Sequence, residues 1–175
     1  PENGFMLHTY YDLPAGDRSL PLFHIHGEAR VPNTVILGHY YYGNLLFCCD
    51  EYLTHRAPAQ RYPLWPGSQG MEALSWLDYF ILGDVYTLGF GFDTSEMDLW
   101  WLLCRKKRER APHGGLWFYE PARQSAETKQ ALLEAYQARC VSLGFRDPQG
   151  EDYRRFYELA VKDLARRLRQ EETAP

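Results

Sequence analysis

The run Val85-Tyr86-Thr87-Leu88-Gly89-Phe90-Gly91-Phe92-Asp93-Thr94-Ser95-Glu96-Met97-Asp98-Leu99-Trp100-Trp101-Leu102-Leu103 limits the possible folds of this chain more than any other stretch. Val85 to Leu88 has the length and apolar character of a central strand in a parallel sheet. Gly89 and Gly91 follow, and glycine permits positive φ and the close approach of a backbone or a ligand. Asp93 stands where it can cap the amide three residues on, with Glu96 as the acid of a capping box, so a helix is expected over Ser95–Arg108. The free N–H groups of such a helix start attract anions, ribose phosphates among them. Strand, glycine turn and helix together read as one crossover of a nucleotide-binding α/β fold, although the spacing is not Gly-x-Gly-x-x-Gly.

The rest of the chain repeats this alternation. Leu20–Ile25 and Thr34–Gly38 are strand candidates, followed by a helix near Asn44–Leu53 and a long Tyr-, Pro- and Arg-rich segment reaching Gly70. A helix is expected from Gly70 to Phe80, with Leu74, Leu77 and Ile81 on one face. Pro112-His113-Gly114-Gly115 breaks the chain before a strand at Leu116–Tyr119. Ser125 then caps a helix to about Arg139, and Cys140–Leu143 is a last short strand. Beyond Asp147-Pro148-Gln149-Gly150, an amphipathic helix over Asp152–Arg169 carries Tyr153, Phe156, Tyr157, Val161, Leu164 and Leu168 on its apolar side and is expected to dock on the sheet. These elements predict an α/β fold: a Rossmann-like, doubly wound, mostly parallel sheet over residues 1–150, with a C-terminal helix and tail over 151–175.

Composition narrows the function classes. A chain of 175 residues with 45% hydrophobic and 15% aromatic residues can build a true core. A net charge of −4, with the basic residues gathered in helices, argues against a nucleic-acid binder. No apolar run reaches the roughly 18 residues of a membrane span, and no secretory signal opens the chain, so a cytoplasmic protein without a membrane partner is expected. Cys48, Cys49, Cys104 and Cys140 form no Cys-x-x-Cys pair and read as reduced thiols.

Several residues could carry chemistry. His24-Ile25-His26-Gly27 closes the first strand candidate, with both histidines on one face and Gly27 turning the chain where α/β sheets bind ligands. A histidine there, with an ordinary pKa of about 6.5, could be a general base or could simply bond loop carbonyls. His39 follows the second strand candidate, which raises a metal set of His24, His26 and His39, but the spacing is not that of a recognisable ligand set and no metal ligand is assigned. Asp93 and Glu96 are explained by capping, and Asp98 less well, since it lies beyond the box. Arg105-Lys106-Lys107-Arg108-Glu109-Arg110 reads as a solvated helix end. Glu120, closing Leu116–Tyr119, could take a ribose hydroxyl pair or be an ordinary exposed acid.

The order of these pieces resembles the C-terminal part of SIR2-like domains, and within them the bacteriophage abortive-infection AbiH type. The resemblance is carried by His24-Ile25-His26-Gly27, Val35-Ile36-Leu37-Gly38-His39, Ser75-Trp76, Gly89-Phe90-Gly91-Phe92-Asp93 with Asp98, Tyr119-Glu120, and Cys140-Val141-Ser142-Leu143-Gly144, and it covers Leu20 to Phe145. It implies an NAD-binding Rossmann-like sheet, with His26 as the catalytic histidine. By the same resemblance Gly27, Gly89, Gly91, Asp93, Ser95, Asp98 and Glu120 would bind the cofactor. Three features depart from the pattern. No glycine-rich strand–turn–helix precedes His24, His8-Thr9-Tyr10-Tyr11-Asp12 lacks the expected Asn, and the zinc module of protein-deacylating relatives is missing. The chain is thus expected to be the C-terminal portion of a longer protein or a shortened relative.

Three functions follow from these readings. The first is NAD hydrolysis in antiphage defence, with NAD as substrate or ligand. The second is a non-catalytic interaction domain that meets a second copy or another protein through Tyr40-Tyr41-Tyr42 or the 152–169 helix. The third is a histidine-dependent metal hydrolase. The geometric expectation is that His26, Gly27, Gly89, Gly91, Asp93 and Glu120 converge at the carboxyl edge of one parallel sheet, with Val85–Leu88 central and Leu116–Tyr119 beside it.

Overall fold

The computed structural model describes residues 5–55, 75–108, 114–120, 127–143 and 153–172. The expected features at Pro112-His113, Ser125 and Asp147-Pro148-Gln149-Gly150, and most of the segment from Tyr40 to Gly70 beyond His55, lie outside these residues. In chain order the elements are α1 (Phe5–His8), β1 (Tyr11–Ala15), β2 (Arg18–Leu22), a 3-10 turn (Pro32–Thr34), α2 (Gly38–His55), α3 (Trp76–Leu82), β3 (Val85–Leu88), α4 (Met97–Arg108), β4 (Leu116–Tyr119), α5 (Glu127–Ala135), β5 (Ala138–Val141) and α6 (Tyr153–Glu172). The fold is mixed α/β with a small parallel sheet. Contacts divide the chain into two units: Pro1–Gly83 with Thr94–Lys106, and Asp84–Asp93 with Lys107–Pro175. The expected division at residue 150 therefore falls inside the second unit.

In the first unit, β1 and β2 pair antiparallel, Tyr11 opposite Leu22 and Ala15 opposite Arg18. Gly16, at φ +64°, takes the first position of the tight hairpin turn, where positive φ favours glycine. The strand expected at Leu20–Ile25 is thus Arg18–Leu22 of a separate antiparallel hairpin, so His26 and Gly27 do not follow a strand of the parallel sheet. Thr34–Gly38 is not a strand either. Pro32 presets a helical φ, and the Thr34 hydroxyl donates to the Val31 carbonyl at 2.7 Å, folding the segment into a 3-10 turn.

Helix periodicity shows in the same unit, and it buries Lys106, a residue expected in a solvated helix end. Leu45, Cys49 and Leu53 of α2 are buried at i, i+4 and i+8, and Leu99, Leu102, Leu103 and Lys106 of α4 at i, i+3, i+4 and i+7. The reciprocal cap expected on α4 occurs on α3 instead. The Ser75 hydroxyl accepts from the Asp78 N–H while the Asp78 carboxylate accepts from the Ser75 N–H.

The second unit holds the sheet, in order β3-β4-β5, all parallel. The middle strand is β4, not β3. All four residues of Leu116-Trp117-Phe118-Tyr119 are buried, whereas β3 is half-buried throughout. An aromatic strand covered on both faces belongs at the centre. On one face Trp117 and Tyr119 pack with Phe156 and Ala160 of α6, so the C-terminal helix does dock on the sheet. On the other face Phe92 meets Phe118 edge-on at 5.7 Å and the Lys129 amine of α5 lies over the Phe118 ring. Of the expected apolar stripe, Tyr153, Tyr157, Val161 and Leu168 stay exposed.

A polar clamp adds to the docking of α6. Tyr119 donates its hydroxyl to Asp163 Oδ2 at 2.8 Å, Arg167 donates to the same oxygen at 2.7 Å, and Arg166 donates to Oδ1. Burial alone would raise the Asp163 pKa, but these donors hold it at about 2, below the ordinary 3.8. Burial and the Asp163 carboxylate push the Tyr119 phenol up to about 12. A depressed acid contributes stability above its unfolded pKa and loses it as pH falls through the folded one. The urea midpoint should therefore drop as pH falls from 3.8 to about 2, and this acid limb should flatten in Asp163→Asn. Equal acid limbs in the two proteins would refute the clamp. Tyr119, raised, contributes below its unfolded pKa and loses that contribution as pH rises toward about 12.

Candidate functional site

The segment from His24 to Ile36 is folded tightly on itself. The Gly27 N–H donates to the His24 carbonyl at 2.9 Å, and the Ile36 N–H donates to the His26 carbonyl at 3.0 Å. The Glu28 N–H donates to the Thr34 hydroxyl at 2.9 Å. Gly27 has φ +89°, and a Cβ there would lie 2.1 Å from the Thr34 carbonyl oxygen. Gly27 is therefore needed to let two backbone segments touch, and that contact fixes where His26 stands.

The other half of the site comes from the start of α4. The Trp100 N–H donates to the Glu96 carbonyl at 3.1 Å, so Glu96 is itself the cap and Asp98 is the second helical residue. This is why Glu96 does not act as the box acid expected from sequence. Its carboxylate turns to His26 instead.

His26 Nε2 is 2.8 Å from Asp98 Oδ2, and His26 Nδ1 is 3.8 Å from Glu96 Oε2. The Asp98 side chain is 0% exposed, that of His26 26% and that of Glu96 22%. The Tyr42 ring meets the imidazole edge-on at 5.5 Å. Glu96 Oε2 and Asp98 Oδ1 are buried, and neither accepts a hydrogen bond.

The electrostatics follow from this packing. The hydrogen bond to Asp98 raises the His26 pKa against the opposing effect of burial, and the charges of Asp98 and Glu96 add to the rise. Burial, then the charges of Glu96 and Asp98 and a hydrogen bond to the Glu96 carboxylate, raise the Tyr42 phenol. Burial, then the charge of Asp98, pushes the Cys49 thiol far up, so it stays protonated and is no nucleophile. A half-buried imidazole between two carboxylates can hold or pass a proton, or share a cation with them.

The expected cofactor residues separate into two groups. Gly27, Ser95 and Asp98 belong to the first unit with His26, and Gly89, Gly91, Asp93 and Glu120 belong to the second. Asp98 is in contact with His26, and Ser95 accepts the Met97 N–H through its carbonyl at 2.9 Å. In the second unit Gly89 has φ +66°, and the Tyr157 hydroxyl lies 2.0 Å from where its Cβ would be. The close approach that Gly89 permits is thus taken by the protein's own C-terminal helix. Lys129 donates to the Gly91 carbonyl at 2.9 Å and to Glu120 Oε1 at 2.7 Å. Gly91 does not adopt positive φ.

The histidine triplet does not assemble. His24 Nδ1 faces Glu28 at 3.8 Å and its ring lies by Tyr11, and His39 is exposed in the first turn of α2. Among the described residues, the ligand atoms that do lie together, within 4.8 Å of one another, are those of His26, Glu96 and Asp98. In the sequence Glu96 reads as a capping acid and Tyr42 as part of a partner surface. The available signal was the pair Glu96-x-Asp98, one acid more than a cap requires. No family model, curated protein or solved structure matches this chain.

Proposed function

We propose that this chain is a hydrolytic enzyme whose reacting centre is His26 with Asp98 and Glu96, and that its substrate is NAD. The observation that carries the proposal is the wholly buried Asp98 held 2.8 Å from His26. Burying a carboxylate costs several kcal/mol unless it is paired, and ionisable groups shifted by such packing gather at functional sites. NAD comes from the SIR2-like resemblance, as do the Rossmann-like sheet and the role in antiphage defence in the cytoplasm. In the reaction, water adds to the ribose carbon that bears nicotinamide, the carbon–nitrogen bond breaks and nicotinamide leaves. The pocket directs the water and drains its proton.

The test is release of nicotinamide from NAD by the full chain. His26→Ala should lower turnover at least ~100-fold, the scale of a lost proton-handling group. Absence of cleavage by the unaltered chain, or full activity in His26→Ala, would overturn the proposal. A second reading, self-association, is favoured by Leu37, Tyr40, Tyr41 and Phe47, which stand exposed on and beside α2, Tyr40 at 73%. Light scattering that shows a monomer across a wide concentration range would remove it.

A further inference from the structure

We propose that His26, Glu96 and Asp98 form a binding site for one divalent transition-metal cation. The inference rests on the reading that this pocket is the reacting centre, and it names what completes that centre. The geometry comes first. One nitrogen and two carboxylate oxygens lie within 4.8 Å of one another, and a side-chain shift of roughly half an ångström brings them inside the roughly 4.2 Å that is the widest span of two ligands each about 2.1 Å from one ion.

Charge is the second argument. Two carboxylates face one imidazole, so even a protonated His26 leaves a negative charge in a pocket where Asp98 has no exposed surface. Among the described residues, Arg105 and Lys106 of the same helix as Asp98 are committed elsewhere. The Lys106 amine donates to the carbonyls of Phe80, Ile81 and Gly83, and Arg105 reaches Asp50 and the Leu53 carbonyl.

The third argument is independent of both. Asp98 Oδ1 and Glu96 Oε2 are buried acceptors that receive no hydrogen bond, and a buried oxygen left in that state is destabilising, the more so when it is charged. A cation satisfies them. The donor set also selects its class. Imidazole with two carboxylates suits Mn²⁺, Fe²⁺ or Zn²⁺ better than Ca²⁺, which takes six to eight oxygens.

Bound there, the ion would acidify a coordinated water. That water would give its proton to solvent, and the resulting hydroxide would add to the ribose carbon as nicotinamide departs. NAD and water would thus yield ADP-ribose, nicotinamide and one proton.

The test is isothermal titration of the full chain, purified without a metal-affinity tag and dialysed against chelator, with Mn²⁺ and with Zn²⁺. One site per chain is expected, weakened at least tenfold in Glu96→Gln and in Asp98→Asn and unchanged in His24→Ala. Glu96 is partly exposed, so its variant should fold even if Asp98→Asn does not, and circular dichroism checks both. Absence of binding, or affinity unmoved by Glu96→Gln, would overturn the cation site. Binding without NAD cleavage would keep this site and remove the NAD reading. NAD cleavage undiminished by chelator in a chain that binds neither ion would do the reverse.

Discussion

Lys106→Met should cost about 3 kcal/mol of stability, or roughly 10 °C in Tm for a chain of this length, while Lys107→Met should cost under about 0.5 kcal/mol. The two lysines are adjacent in one charge run, yet only Lys106 is buried, at 5% exposure. Its amine donates to the carbonyls of Phe80 at 2.9 Å, Ile81 at 3.0 Å and Gly83 at 2.8 Å. Phe80 and Ile81 supply two of the last carbonyls of α3, which have no partner within their own helix, and Gly83 is the residue that caps it. A cation there answers three acceptors and the negative end of the helix dipole. Methionine keeps the apolar stem and removes every donor, so the measured loss isolates the polar contacts. Lys107 makes one exposed bond, to the Ala135 carbonyl at 2.6 Å. Thermal melts that show equal Tm for the two variants would refute this account of Lys106.

Gly27→Ala should destabilise the chain by at least about 3 kcal/mol and abolish whatever His26 does, because both effects share one cause. A Cβ at Gly27 would lie 2.1 Å from the Thr34 carbonyl oxygen, 2.4 Å from its carbon and 2.7 Å from Val35 Cα. All three are backbone atoms, so no side chain can move aside. The φ of +89° adds a conformational cost of about 1–3 kcal/mol for a residue with a Cβ. Relief requires the His24–Ile36 segment to open, which carries His26 away from Asp98. Gly43→Ala is the contrasting change. It lies within α2, its Cβ would meet nothing within 4 Å, and alanine should stabilise the helix by about 0.5–1 kcal/mol. Denaturation curves of the two variants check both signs.

Local pattern made much of this legible. Val85–Leu88 and Leu116–Tyr119 are strands at the expected residues, parallel and adjacent, because a short apolar run between turn residues has few other solutions. Helix α4 begins two residues later than expected, because Glu96 caps it with its own carbonyl. What the sequence hid was pairing across distance. Leu20–Leu22 looks the same whether its partner runs parallel or antiparallel, and only the Gly16 turn, which brings Tyr11–Ala15 alongside, decides it. The order of the sheet depended on β4 being covered on both faces, a fact about α5 and α6 and not about β4 itself. Within the site, Asp98 stood out as an acid that capping did not explain, but nothing local tied it to a histidine 72 residues away. Lys106 looks like its charged neighbours in sequence, because its destination, the end of α3, is a tertiary feature.

The convergence of His26, Glu96 and Asp98 is the claim on which the site and its chemistry depend, and a crystal of the full chain grown with Mn²⁺ tests it most directly. An anomalous difference peak within roughly 2.0–2.3 Å of an imidazole nitrogen of His26 and of oxygens from both carboxylates is the predicted result. A structure in which the His26 ring lies away from Asp98, with no manganese between them, would contradict it.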